Sequence, residues 1–567
     1  MDLDLQLGCE RYLTRFNARH VPAYRFDLVV LGGGVGGSFA ALSAARRGLA
    51  VAVLTKSSLR EGNTRYARGG MAAVLGAEDS FESHVADTLL VGRGLCDRAV
   101  VERIVRGGPR AVETLHSIGT EFDRTAGGEW MLSREGGHSF PRVIHAQGDS
   151  TGVEIQRALS DALCKEDRIT TFAETFAIDL LADSHGATAG VLAQTPRGDL
   201  VVFGGSNVLL GTGGAGQIFR ETTNPVVATG DGIAIAARAG ATLRDLEFVQ
   251  FHPTCLYIAG AARVLISEVV RGAGGRLVDR HGERFMLEAH KDAELAPRDV
   301  VSRAVFRRMV STNDTSVYLD LSEVEGDVHL LFPGISRICR VFGIDIATDR
   351  IPVRPGAHYL VGGVATDMDG RTSLPGLWAV GECASTGLHG ANRMGSNSLL
   401  EGLVMGQCAG DAISGELSRP TSGAFESGDP KKHRHLHDPV LNVNIEDLTY
   451  SLKSMMWREM GVERSIEGMR EASEKIGFWH RVVEDLAVPD PKSMVLLNML
   501  SVARLATISA IAREESRGVH FRSDFPVERA EFLSHTELTP ELSGGRLESV
   551  RLEHRPCGAS GVSQNLA

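Results

Sequence analysis

Arg393 stands in a glycine-studded loop that also carries His389 and Asn392, and a helix is predicted to begin a few residues later, near Ser396. An arginine in that place suits a carboxylate, because its planar fork donates two parallel hydrogen bonds. The first turn of the helix leaves backbone N–H groups free at the positive end of its dipole, which suits a group that becomes anionic. Just upstream, residues 377–380 read as a short buried strand ending in an acidic corner, Gly381 and Glu382. The segment is shaped to hold two anions side by side: a small acid, and a ring that gains negative charge on reduction, as a flavin does.

The elements that must position this segment start near residue 26. Residues 26–31 (FDLVVL) form an apolar β-run that passes directly into the glycine turn GGGVGG, residues 32–37. A helix is predicted over 38–47, with Gly48 as its C-cap and a second β-run over 51–54. Strand, glycine turn, helix and strand at this spacing make a dinucleotide-binding βαβ unit, with Gly32, Gly34 and Gly37 at the phosphate turn. By itself the unit accommodates NAD as well as FAD. The acid that usually follows the second strand is replaced by Thr55 and Lys56, so the ribose contact stays open and Lys56 becomes a candidate cofactor contact. The run EGNTRYARGGM, residues 61–71, is too glycine-rich and polar for core. Residues 208–216 are another strand entering a glycine turn. Asp231 opens a further helix, where it is either a simple helix-end charge or a cofactor contact. Glu382, at the C-terminal end of its strand, is expected to meet a ribose.

A chain of 567 residues is too long for one core, so two to four domains are expected. The net charge of −11 argues against a nucleic-acid partner. The eight cysteines are scattered without a C-x-x-C pair, so no zinc site, cysteine-ligated iron–sulfur cluster or other metal centre is expected, and a reducing cytoplasm fits. No wholly apolar run reaches the roughly 18 residues of a membrane span. Residues 1–23 mix acids with arginines and read as an N-terminal extension rather than a signal peptide. Between about 251 and 358 the texture shifts to mixed α/β with more charge. Residues 423–437 are Gly, Ser, Pro, Lys and His, a linker; beyond them, 445–477 and 491–513 carry apolar residues at helical spacing, such as Val495, Met499, Val502 and Ala506.

In order along the chain, GGGVGG, NTRYARGGMAAV, TGDGIAIA, EFVQFHPT, SEVVRGAGG, APRDVVSRAV, AHYLVGGV, GANRMGSNSLLEG and REESRGVHFRSDFP resemble blocks of the succinate dehydrogenase, fumarate reductase and L-aspartate oxidase flavoprotein superfamily. The resemblance implies an α/β fold with a Rossmann-like FAD-binding domain in two parts, 24–245 and 359–430. An inserted α+β capping domain is expected over 246–358, a C-terminal helical bundle over 437–540, and a disordered polar tail over 541–567.

Within that superfamily the run SREGGHS, residues 133–139, looks like the aspartate oxidase version, marked by Glu135. Covalent relatives attach FAD through a histidine at the place of Asn63, and an amide cannot form that link, so non-covalent FAD is implied. The cofactor contacts implied are Gly32, Gly34, Gly37, Lys56, the run Asn63, Thr64, Arg65, Tyr66, Ala67, Arg68, Gly69 and Gly70, then Asp231, Glu382, Ser398 and Leu399. For the substrate, His252, His358 and Arg393 would grip carboxylates, with Gln250, Ser267 and Ser396 as neutral polar contacts. Glu135 would pair with an ammonium group, and Arg298 would carry the proton when fumarate is reduced. The implied reaction is hydride transfer from L-aspartate to flavin N5, giving iminoaspartate for quinolinate synthase in NAD biosynthesis, with reoxidation by oxygen or fumarate. The alternatives are a soluble fumarate reductase or succinate dehydrogenase flavoprotein subunit, and a flavin-bearing electron-transfer subunit whose work is docking. Plainer readings stand beside these: His252 as a satisfied core histidine, Arg298 as a surface ion pair, and Arg513, Glu515 and Arg517 as inter-domain salt bridges.

Overall fold

The computed structural model describes residues 5–148, 150–261, 263–416, 443–486 and 490–558. At its centre is a five-stranded parallel sheet in the order Leu377–Ala379, Asn207–Leu210, Leu28–Leu31, Val51–Leu54, Ile169–Phe172. Its inner strands Leu28–Leu31 and Val51–Leu54 are continuous buried runs of Val, Leu and Ala because both faces are covered, as parallel sheets require. Gly32 follows the first strand at φ +107°, and a Cβ there would lie 2.2 Å from the Gly211 carbonyl oxygen. Only glycine permits that closure. The helix Val35–Arg46 begins inside the glycine run, three residues earlier than the sequence suggests, with Gly34 as its N-cap. The long helix Asn397–Gly415 lies against it; a Cβ at Gly406 would sit 2.5 Å from the Gly36 carbonyl oxygen, so the two backbones nearly touch.

A four-stranded sheet, Ala23–Arg25, Leu200–Gly204, Thr188–Gln194 and Phe176–Ala182, flanks this unit. The capping region has its own five-stranded sheet, in the order Val264–Leu265, Val249–Leu256, Ile351–Leu360, Val317–Asp320, Arg276–Val278. It also has its own apolar core, including Leu256, Val270, Leu277, Val301 and Val353. The strands Val249–Leu256 and Ile351–Leu360 pair antiparallel and carry the chain into and out of this region.

Near the C-terminus the helical spacing resolves into Ile445–Glu459, Ile466–Leu486 and Pro491–Ala512. The first two are separated at Gly461, where a Cβ would lie 2.3 Å from the Trp457 carbonyl oxygen. Asp490 and Ser493 exchange hydrogen bonds at the start of the third. That helix is long and apolar enough to cross a membrane, but it is apolar on all sides because it is packed inside the protein. The linker over 423–437 lies outside the described residues.

The expectation of a disordered tail over 541–567 is overturned for residues 541–556, and residues 559–567 lie outside the described residues. Ser534–Ser543 and Arg546–Pro556 form a hairpin, turned at Gly544 and Gly545, which both have positive φ. The second strand pairs with Gln6–Glu10, so the N-terminal extension closes the edge of a six-stranded sheet. The strand looked polar because only residues such as Leu547 and Val550 face inward, while its other face meets solvent.

Candidate active site

One long cleft runs from the glycine turn to the capping region. Its first half is lined by Gly32 and Gly34, by Lys56, by Asn63, Thr64 and Tyr66 to Gly70, and by Asp231, Glu382, Ser398 and Leu399. The N-terminus of helix Val35–Arg46 has no side-chain cap; the Thr64 hydroxyl accepts from Val35 N–H at 3.0 Å. Lys56 Nζ lies 2.6 Å from both Thr229 Oγ1 and Asp231 Oδ2, and Asn498 donates to the other Asp231 oxygen at 2.9 Å. Asp231 is therefore paired and at the cleft wall at once. Asn63 Nδ2 donates to Glu382 Oε2 at 2.5 Å, while Asn63 Oδ1 is buried with no hydrogen-bond partner among the described residues. Burial pushes the Glu382 carboxyl up to about 7. An orphaned amide oxygen, bare glycine backbone and a helix start whose own N-cap residue, Gly34, offers no side chain together fit a flavin dinucleotide.

Two expected contacts lie elsewhere. Gly37 does not line the cleft; a Cβ there would sit 2.2 Å from the Gly32 carbonyl oxygen, so the position closes the turn. Arg65 is exposed and faces Glu61 at 3.9 Å, outside the cleft.

At the far end, side chains from distant segments converge. Arg298 opens the helix Arg298–Ser311, donating from Nε to Glu268 Oε2 at 2.9 Å and from Nη1 to Gln250 Oε1 at 3.2 Å. Arg393 donates from Nε to Ser398 Oγ at 2.6 Å, and its guanidinium carbon lies 4.9 Å from the centre of the Tyr359 ring. The Ser396 hydroxyl donates to Glu135 Oε2 at 2.7 Å. A Cβ added at Gly395 would lie 3.2 Å from both Arg298 Nη2 and Glu135 Oε2, so acid and arginine face each other across that glycine. His252 and His358 stack edge to face, ring centres 5.4 Å apart.

The electrostatics follow from burial. Desolvation pushes the Glu135 carboxyl up to about 7 despite Ser396 and the arginines. It pulls both imidazoles well below their ordinary value, and Arg298 and Arg393 add to that, so both rings are neutral. Burial and the neighbouring Arg298 bring Arg393 down to about 10. Glu268 is also buried, yet Arg298 and Arg271 hold its carboxyl below the usual range. Cations in excess, two neutral imidazoles and one half-protonated acid suit a dicarboxylate that also carries an amine.

Gln250 is not a wall residue: its Nε2 donates to Asn392 Oδ1 at 2.9 Å and to the Arg393 carbonyl at 2.7 Å, bracing both arginines from behind. The Ser267 hydroxyl caps Val269 N–H at 3.4 Å while remaining on the cleft wall. Glu268, Arg271, Tyr359 and Thr223 escape the sequence reading. The first two lie within the block SEVVRGAGG and Tyr359 adjoins His358; Thr223 carries no sequence signal at all.

The FAD binding domain family model matches residues 27–399, and the fumarate reductase flavoprotein C-terminal family model matches 449–563. The chain belongs to the succinate dehydrogenase and fumarate reductase superfamily of FAD-dependent flavoproteins. An E. coli quinol fumarate reductase FrdA chain is similar at 31% identity and TM-score 0.86, covering 96% of this chain and 98% of that one. L-aspartate oxidase of Streptomyces coelicolor is 42% identical over 527 residues, 89% of this chain and 90% of the relative. That of Mycobacterium tuberculosis is 43% identical over 516 residues, covering 89% and 94%. Within the superfamily, the chain is a member of the L-aspartate oxidase family.

Proposed function

We propose that this chain oxidises L-aspartate to iminoaspartate using non-covalently held FAD, as the first step of NAD biosynthesis in the cytoplasm, with quinolinate synthase taking the product. The single observation that carries the reading is Glu135, a buried carboxylate set among Arg298, Arg393, His252 and His358. A dicarboxylate without an amine gains nothing from that acid and is repelled by it. A substrate ammonium supplies the missing partner and draws Glu135 into its charged form.

Bound FAD supplies the hydride acceptor. The protein holds the substrate: Arg393 and the two imidazoles take the carboxylates, Glu135 takes the ammonium, and together they fix which face of Cα meets the cleft. Arg298, braced by Glu268 and Gln250, grips a carboxylate from the capping side. When fumarate is the acceptor, Arg298 donates the proton, and Glu268, 3.8 Å from Arg271, links it to a second arginine.

The test is anaerobic mixing of the yellow protein with L-aspartate or succinate. L-aspartate is expected to bleach the flavin absorbance and succinate to leave it unchanged. Equal bleaching by both would favour a fumarate reductase or succinate dehydrogenase flavoprotein instead.

A further inference from the structure

Residues 221–224 of the FAD-binding region are fastened to the strand Ile351–Leu360 at the point where His358 sits. The Ala357 N–H donates to the Glu221 carbonyl at 2.8 Å. Thr223 N–H and the Thr222 hydroxyl both donate to the Ala357 carbonyl, at 3.0 and 2.9 Å. Asn224 Nδ2 donates to the His358 carbonyl at 2.8 Å. Within this clamp Thr223 Oγ1 lies 2.9 Å from His358 Nδ1.

The direction of that last bond follows by elimination. A carbonyl oxygen has two lone pairs, and those of Ala357 are taken. The Thr223 hydroxyl is 3.5 Å from the same oxygen, too long for a good bond. Among the described residues its proton has one short acceptor left, His358 Nδ1. Because the ring is neutral, its own proton then sits on Nε2, which has no hydrogen-bond partner among the described residues and belongs to a ring lining the substrate corner. His252 offers an independent parallel. Its Nδ1 accepts from the Thr254 backbone N–H at 3.3 Å, a group able only to donate, so its proton also rests on Nε2.

We propose that Thr223 is a positioning residue that fixes the Nε2–H tautomer of His358 and so makes that ring a donor to a substrate carboxylate. The proposal deepens the functional reading above and relies on it only for the identity of the ligand. In the other tautomer an Nε2 lone pair would face the carboxylate, replacing a hydrogen bond with a repulsion.

The test uses FAD-loaded protein labelled with 15N-histidine, the His358 signals being those lost in His358→Gln. The wild type is expected to show a protonated Nε2 and a bare Nδ1. Thr223→Val keeps the shape and removes the hydroxyl; His358 should then shift toward the Nδ1–H form. The same variant should raise KM for L-aspartate and Kd for succinate roughly 10- to 100-fold, the range of a lost charge-assisted hydrogen bond, with kcat little changed. Thr223→Ser should restore both readouts, and in a His358→Gln background Thr223→Val should add almost nothing. A wild-type ring protonated on Nδ1, an unchanged tautomer in Thr223→Val, or a full penalty surviving in the His358→Gln background would each overturn the proposal. A protein with the expected tautomers that fails to oxidise L-aspartate would overturn the functional reading and leave this one standing.

Discussion

Two buried clusters of ionisable side chains lie within a few residues of each other along the run 245–252, and they are built on opposite plans. In the first, where the C-terminal region meets the sheet, every acid is saturated. Glu247 accepts from Arg513 Nε at 2.6 Å, from the Ser509 hydroxyl at 2.5 Å and from the Thr536 hydroxyl at 2.9 Å. Glu515 accepts from Arg513 at 3.0 Å, from Arg517 at 2.8 Å and from the Arg529 N–H at 2.9 Å. Asp245 pairs with His535 at 2.6 Å. The second cluster, at the end of the cleft, leaves its charge open: Arg393 has a serine and an aromatic face rather than an acid, and Glu135 has a hydroxyl rather than a direct cation. A saturated ionic cluster holds regions together. A cluster with cations left over is waiting for an anion, and that imbalance marks the working site more reliably than the mere presence of buried charge.

Exchanging the two roles by mutation tests the contrast. Arg298→Leu is expected to lower aspartate oxidation and fumarate reduction by roughly 10²–10⁴-fold, the range for loss of a positioned proton-transfer group. Bound FAD should stay at the wild-type level; loss of the flavin would move Arg298 into the structural class. Arg513→Leu should do the reverse. It strands Glu247 without its cation, while Glu515 keeps Arg517, an effect of about 3–5 kcal/mol in denaturant unfolding. The enzyme that stays folded should keep its KM for L-aspartate, and a raised KM would break the division between the clusters.

Glu135 tests the open cluster more finely. Glu135→Gln keeps the shape and removes the charge, so kcat/KM for L-aspartate should fall roughly 10- to 100-fold, the worth of one charge-assisted hydrogen bond. Fumarate carries no amine and should be reduced almost as before. Because burial places the free-enzyme carboxyl at about 7, kcat/KM for L-aspartate should rise with pH through that value and level off above it. The inflection should vanish in Glu135→Gln; an unchanged profile would assign it to another group.

The same contrast explains what the sequence disclosed. The cofactor end of the cleft is local: Gly32 to Gly36 and Asn63 to Gly70 are short runs that line most of it, and such runs can be read one after another. The βαβ unit was legible for that reason, and the helix started early only because glycine at 34 caps it without a side chain. The substrate end is assembled from residues 135, 252, 268, 298, 358 and 393, and no spacing along the chain announces that they meet. All of those but Glu268 were reachable through the superfamily resemblance, whereas Glu268, Thr223 and Gln250's bracing role depend on contacts and a wall that only the fold creates. The C-terminal hairpin was missed for a different reason. A strand with one solvated face has the composition of a tail, and its partner, Gln6–Glu10, lies at the other end of the chain.

The smallest expected effect separates two upward pKa shifts that look alike. Burial drags the His535 imidazole down, but Asp245 and its hydrogen bond outweigh this and carry it from 6.5 to about 9. Since the folded value exceeds the ordinary one, the pair stabilises fully below about pH 6.5, and that contribution fades as pH rises through about 9. Glu135 is also raised, from 4.5 to about 7, but by desolvation with no resident cation bonded to it. Its protonated form is favoured in the folded chain, so the empty site loses stability as pH climbs from about 4.5 to about 7. His535→Gln should therefore lower the unfolding midpoint at pH 6 and converge on wild type by pH 9.5, whereas Glu135→Gln should raise the midpoint slightly at pH 8 and leave it unchanged at pH 4. A partner already in place turns a shift into stability, and a partner still to arrive turns it into affinity; midpoints that move in the same direction for both variants would erase that distinction.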